Sequence, residues 1–240
     1  METQCFRRKA WQCLGWEATL MAGNNTRVNI LVEGQTEETF VRELLVPHLT
    51  GFQVWLTPRI VETRKGFKGG AVSYGKIKRQ IQQWCQQDPT ARVTTLFDVY
   101  GLPSDFPGVA QWNAGLPPQA QATALETNLA ADVGQANLIP YLQLHEYEAL
   151  LFSNLSAFSY ANVSHQAIAG WQSELAKFAG PEDVNNSPAT APSKRLIARW
   201  PTYEKSKPQY GVLLAIEIGL PAIRAACPRF NAWVSTLEGL

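Results

Sequence analysis

The stretch Arg27 to Leu49, RVNILVEGQTEETFVRELLVPHL, constrains the fold of this chain more than any other. Val28, Ile30, Leu31 and Val32 form a β-branched and aliphatic run, the composition of a strand buried inside a parallel sheet. Gly34 breaks the run, so the strand is expected to end at Glu33. Thr36 is placed to cap a following helix whose first turn carries Glu37 and Glu38, the sign that the positive end of the helix dipole favours. Phe40, Val41, Leu44, Leu45 and Leu49 recur at helical spacing and give that helix one apolar stripe to lay on the sheet. A carboxylate at the carboxyl end of a strand, beside a glycine that lets other groups approach, stands where open α/β sheets bind ligands. Glu33 is therefore a site candidate, with a solvated loop acid as the alternative reading of so short a motif.

The strand-then-acid pattern returns further along. Phe52 to Thr63 reads as a second strand in which Pro58 marks an edge or a bulge. Tyr74, Ile77, Ile81 and Trp84 share one face of a helix over Ser73 to Asp88, closed by Pro89. Arg92 to Asp98 is a third strand that again ends in an acid, and convergent carboxylates on neighbouring strand ends are what a hard divalent cation requires. Val99 to Pro118 is a proline- and glycine-rich loop, long enough to expect a functional role. Gln119 to Val133 reads as a helix, and Leu138 to Leu144 as a fourth strand running into His145, Glu146, Tyr147 and Glu148. If that strand continues, Glu146 and Glu148 share a face; if a helix begins there, they diverge.

This alternation predicts an α/β fold with a mostly parallel four-stranded sheet and right-handed crossovers. Beyond Ser153 the chain turns helical, with segments at 165–179, 210–219 and 221–237 and a polar, proline-rich connection over 180–208. Three regions follow: an N-terminal extension over 1–26, expected to be mobile or loosely docked, an α/β core over 27–153, and a helical region over 154–240 packed on the core. Residues 1–20 do not read as a signal peptide, because Gln12, Gly15 and Glu17 interrupt their apolar part, and Met21 is an alternative start.

A formal net charge of +1 gives no global electrostatic case for nucleic acid, so such a case rests on local clusters. Arg64, Lys65, Lys68 and Lys76 belong to a stretch ending at Arg79 that holds six basic residues and no acid, with Phe67 and Tyr74 interleaved. That pattern suits a phosphate backbone with bases stacked alongside, and equally a solvated helix face and loop. A second cluster, Lys194, Arg195, Arg199, Lys205 and Lys207, is open to three readings: phosphate contact, folding back over the acidic site, or surface solvation. Four cysteines without a C-x-x-C pair read as reduced thiols of a cytoplasmic protein, and three distant histidines exclude an H-E-x-x-H site. No apolar run approaches the roughly 20 residues of a membrane span.

In their order, these signals resemble the Toprim domain, the metal-dependent catalytic fold of topoisomerases, bacterial primases and overcoming-lysogenization-defect (OLD) family nucleases. ILVEG at Ile30 to Gly34 resembles the Toprim glutamate segment, and Asp98 stands where the Toprim D-x-D motif belongs. VEGQTEE, LFDVYGLPSDFPG, IPYLQLHEYEALLF, PSKRL and IGLPAIRAACPRFNAW are together more closely similar to a prokaryotic Toprim-like family, domain of unknown function 4276, over Val28 to Trp233. The resemblance implies a Toprim-like Rossmannoid core and a nuclease, or related phosphoryl-transfer enzyme, that uses Mg²⁺ or Mn²⁺ on DNA or RNA in phage or foreign-DNA defence. It implies Glu33 as metal ligand or general base, Asp98 as metal ligand, and Lys194 and Arg195 as phosphate contacts. Where D-x-D would supply a second carboxylate this chain has Tyr100, so Glu146 and Glu148 are expected to complete the metal shell. His145 is expected to act in proton transfer or to orient an acid, with a packed structural histidine as the alternative. The competing implication is a catalytically silent nucleic-acid-binding or effector subunit working with a separately encoded ABC-type ATPase, since the sequence has no G-x-x-x-x-G-K-[ST] loop of its own.

Overall fold

A computed structural model describes residues 25–61, 73–111, 115–184 and 187–240. Most of the N-terminal extension, Arg64, Lys65 and Lys68, and Cys5 and Cys13 lie outside the described residues. The elements run in the order β1 (Thr26–Val32), α1 (Gln35–Phe40), α2 (Val46–Thr50), β2 (Val54–Ile60), α3 (Tyr74–Gln87), β3 (Arg92–Asp98), α4 (Pro118–Val133), β4 (Leu138–Ile139) and β5 (Leu142–Gln143). Then follow α5 (His165–Leu175), α6 (Pro192–Arg199), α7 (Thr202–Lys205), α8 (Lys207–Ile218), α9 (Leu220–Ala226) and α10 (Pro228–Glu238). No described helix is long and apolar enough to cross a membrane.

The strands form one sheet in the order β2-β1-β3-β4, with β5 also on β3, and every pairing is parallel. The expected fourth strand is split at Pro140, which has no N–H to give to a ladder. Threonine hydroxyls of β3 bridge the gap. Thr94 Oγ1 donates to Ile139 O at 2.6 Å, and Thr95 Oγ1 both donates to Tyr141 O at 2.8 Å and accepts from Tyr141 N at 2.9 Å. β2 takes an edge of the sheet, where Pro58 is tolerated because one side of the strand has no partner.

Alternation along β1 divides the core into two layers. Val28, Ile30 and Val32 face a cluster with Phe40, Leu45, Leu150, Leu214, Phe230 and Val234, so the C-terminal helices cover that side of the sheet. Leu31, with Val93 and Phe97 of β3, faces Ile77, Ile81, Leu125 and Leu129 of α3 and α4 on the other. Val28 and Ile30 to Val32 are buried, which is why they read as a hydrophobic run, while Arg27 is exposed and Asn29 half-buried on the side that carries Leu31.

Several boundaries differ from the sequence reading, each for a local reason. β1 ends at Val32, and Gly34, not Thr36, precedes α1, its carbonyl accepting the Glu38 amide at 3.0 Å. A π-helical stretch, Val41–Leu45, joins α1 to α2 just ahead of Pro47, which removes an amide and would clash with the carbonyl four residues back. The polar connection over 180–208 holds two helices, α6 and α7, in place of a plain linker. The last expected helix breaks at Cys227, because Pro228 drives the residue before it out of the helical region, to φ −123 and ψ 85.

Candidate functional site

β1 and β3 are adjacent and parallel, with Val32 opposite Leu96, so their carboxyl ends deliver Glu33 and Asp98 to one edge. The Asp98 amide donates to Glu33 Oε1 at 2.7 Å, which lays the glutamate across the end of β3. The turn after β3 passes close above. A Cβ on Gly101 would stand 2.7 Å from Glu33 Oε2 and 3.0 Å from Oε1, so only glycine fits there undisturbed. The Asp98 carboxylate takes a backbone hydrogen bond from Tyr147, in the short 3₁₀ turn that follows β5.

That turn decides between the two readings of HEYE. Glu146 is extended and Tyr147 begins the 3₁₀ segment, so Glu146 and Glu148 diverge. Glu146 Oε2 accepts from the Ser193 amide at 2.8 Å, at the N-terminus of α6 where the helix dipole favours a carboxylate. Glu148 is buried and meets Lys207 Nζ at 3.2 Å and the Tyr203 hydroxyl at 3.3 Å. Glu37, in the first turn of α1, joins the same group, since it raises the proton affinity of both Glu33 and Asp98.

Five carboxylates thus share one end of the sheet. Burial among protein groups, opposed by the Asp98 amide and reinforced by Glu37 and Glu146, pushes Glu33 up to about 7. Water still reaches Glu33 at the surface and moderates the effect of burial, while the crowding by other acids persists. Asp98 is driven well above the ordinary aspartate range by burial and by Glu33, Glu37 and Glu148. Glu37 and Glu148 are raised by burial as well, and Lys207 partly offsets both.

A donor set made only of carboxylates short of compensating charge fits a hard divalent cation. In the conformation seen, however, no three His, Cys, Asp or Glu side chains among the described residues are gathered closely enough to hold a metal ion. Coordination would require side-chain rotation, above all from Glu33, whose Oε1 is engaged by the Asp98 amide.

His145 lies beside this group with a strained backbone, φ 65. Its carbonyl accepts the Tyr100 amide at 3.2 Å, and its ring lies 5.5 Å from that of Tyr100. Burial lowers its pKa against a hydrogen bond to the Glu182 backbone, so the imidazole is neutral at neutral pH. Nε2 is buried and has no hydrogen-bond partner among the described residues. Lys194 follows Ser193 on α6 and is exposed, and Lys76 is exposed in the first turn of α3. Arg195 is turned away from the acids. Its side chain is 8% exposed, pairs with Glu174, donates to Thr190 O at 2.8 Å and lies over Phe178, so it has little to offer a phosphate.

Sequence reasoning read Glu37 only as a helix-dipole residue and placed Lys207 in a basic cluster open to phosphate contact, folding back over the acidic site or surface solvation; its pairing with Glu148 is the second of these. The signal for Glu37 was its place one turn beyond Glu33; Lys207 reaches Glu148 across a long separation that no local pattern reveals.

Residues 32–238 match the family described as Domain of unknown function (DUF4276). The chain belongs to this family. Among solved structures, it is similar to the C-terminal region of the Xanthomonas campestris pv. campestris OLD protein, in a platinum-phased and an iodine-phased form. The identities are 14% and 13%, with TM-scores of 0.38, covering 89% and 90% of this chain and 96% and 98% of those. A likeness of that extent says nothing about shared chemistry. No curated protein matches the chain.

Proposed function

We propose that this chain is a metal-dependent phosphodiesterase acting on DNA or RNA. The reading is carried by the concentration of Glu33, Glu37, Asp98, Glu146 and Glu148 at the carboxyl ends of β1 and β3, with the Lys207 ammonium paired to Glu148. Asp98 and Glu148 would hold Mg²⁺ or Mn²⁺, with Glu146 reaching in through the oxygen not bonded to Ser193. Bound there, the ion supplies the positive charge that phosphodiester cleavage requires at the attacking and leaving oxygens. Glu33, with a proton affinity near neutrality, accepts a proton from the attacking water, since a general base works best when its pKa lies near the ambient pH. Lys207 and Tyr203 hold Glu148 in place. Lys194, exposed next to the residue that binds Glu146, would meet a phosphate at the rim.

Labelled single- and double-stranded DNA and RNA, incubated with the purified protein and Mn²⁺ or Mg²⁺, test this. Cleavage is expected in wild type, is abolished by EDTA, and falls by about 100-fold or more in Glu33→Gln and Asp98→Asn. Equal cleavage in wild type and both variants would overturn the assignment. The unassembled carboxylates favour one other reading, a catalytically silent nucleic-acid-binding or effector subunit working with a separate ABC-type ATPase. That reading predicts binding without cleavage under either ion.

A further inference from the structure

On the side of the sheet that carries Leu31, α3 packs over β1 and β3 but leaves the edge strand β2 open. Arg27 and Asn29 of β1 stand in register with Trp55 and Thr57 of β2, so these side chains share that open side. With Trp84 of α3 and Asp88 just past its end as a wall, they bound a depression of about 980 Å³.

Its lining is neither a plain solvated face nor an apolar groove. Trp55 is 50% exposed, a large aromatic ring on a strand with half its surface in water. Arg59, opposite Leu31, lies 4.2 Å over the Trp84 ring and is fixed by a 3.3 Å hydrogen bond from Nε to Asn29 Oδ1. The guanidinium is thus held in place, and among the described residues no carboxylate pairs with it, whereas Arg27 is committed to Asp88 at 3.1 Å. An open ring, an oriented guanidinium without an acid, and neighbouring amide and hydroxyl groups match the demands of single-stranded nucleic acid, which needs stacking platforms and phosphate contacts. A duplex keeps its bases stacked and has no use for Trp55. The placement also fits. Arg59 is level with Leu31, two residues and therefore roughly 7 Å before Glu33, and Trp55 lies roughly 13 Å further back along β2.

We propose that this shelf binds a single strand of nucleic acid leading away from the acidic site, with a base stacked on Trp55 and a phosphate on Arg59. The proposal takes its substrate class from the phosphodiesterase reading, but its test does not require catalysis. Fluorescence anisotropy of a labelled oligo-dT of about twelve nucleotides, in EDTA at low salt, measures binding alone. Wild type is expected to bind, while Trp55→Ala and Arg59→Ala each weaken binding roughly tenfold or more. Arg59→Ala should also flatten the salt dependence by about one ion. Trp55→Phe is expected to keep most of the affinity, and Leu213→Ala, at an exposed position of α8, all of it. Wild-type affinity in both Trp55→Ala and Arg59→Ala would overturn the proposal. So would unchanged affinity together with a halved molar mass by light scattering in Trp55→Ala, which would assign the shelf to a second copy of the chain. Binding through the shelf without cleavage under Mn²⁺ would sink the phosphodiesterase reading alone, and cleavage that ignores both shelf variants would sink the shelf alone.

Discussion

Replacing Glu33 by Gln in metal-free buffer should raise stability at high pH and leave it nearly unchanged at low pH. The carboxyl has an ordinary value of 4.5 and stands at about 7 in the folded protein, raised by burial and by Glu37 and Glu146. Between those values the folded state binds more protons than the unfolded one. The stability it contributes is therefore fully present below about pH 4.5 and is lost as the pH rises through 7. The rise from 4.5 to about 7, at about 1.4 kcal/mol for each pH unit, would set a ceiling of roughly 3.5 kcal/mol for a group sealed from water. Glu33 is exposed, and solvent screening brings the effect down to about 1 kcal/mol. Gln keeps an oxygen for the Asp98 amide, so the geometry is retained while the charge is removed. Thermal unfolding from pH 4.5 to 8.5 in EDTA should show matching midpoints at the acid end and a variant that melts about 2 to 4 °C higher at pH 8. Asp98, Glu37 and Glu148 are displaced in the same direction, so the variant keeps part of the wild-type pH dependence. A variant less stable at pH 8, or a difference that does not change with pH, would refute the reasoning.

Gly101→Ala drives a methyl group against the Glu33 carboxylate, the far end of a flexible side chain. Loss of stability should stay below about 1 kcal/mol while Mn²⁺ affinity drops, as read by denaturant unfolding and calorimetry on the same sample. Lys207→Met strips the ammonium from buried Glu148, whose proton affinity then rises further. The expected cost is about 1 to 2 kcal/mol at pH 8, vanishing in acid, and a pH-independent cost would contradict the pairing. Arg229 joins α10 to Glu126 at 2.5 Å and to Leu142 O at 3.4 Å. Arg229→Met leaves half-buried Glu126 with only the Leu142 amide, for a loss of about 2 kcal/mol in chemical denaturation.

The sheet was legible because its rules are local. A continuous apolar run, a glycine and a helix-period stripe define β1 and α1, and the same run-then-acid grammar at Arg92 to Asp98 puts two carboxylates at one edge once the strands are parallel neighbours. Pro140 and Pro228 interrupt elements that periodicity alone carries through, although both residues announce what they do to the backbone. Long-range pairings were not legible. Lys207 on Glu148 and Arg195 on Glu174 depend on how α5, α6 and α8 pack, and nothing in PSKRL distinguishes the buried arginine from the exposed lysine beside it. The divergence of Glu146 and Glu148 turned on whether strand or 3₁₀ turn follows His145, and the positive φ at His145 is a feature that no side-chain pattern encodes.

The central claim is that the acids around Asp98 take up a divalent cation. Isothermal titration of Mn²⁺ into the metal-free protein and into Asp98→Asn tests it most directly. Saturable binding is expected in wild type and should be lost or strongly weakened in the variant; no binding in wild type, or equal binding in both, would rule the cation site out.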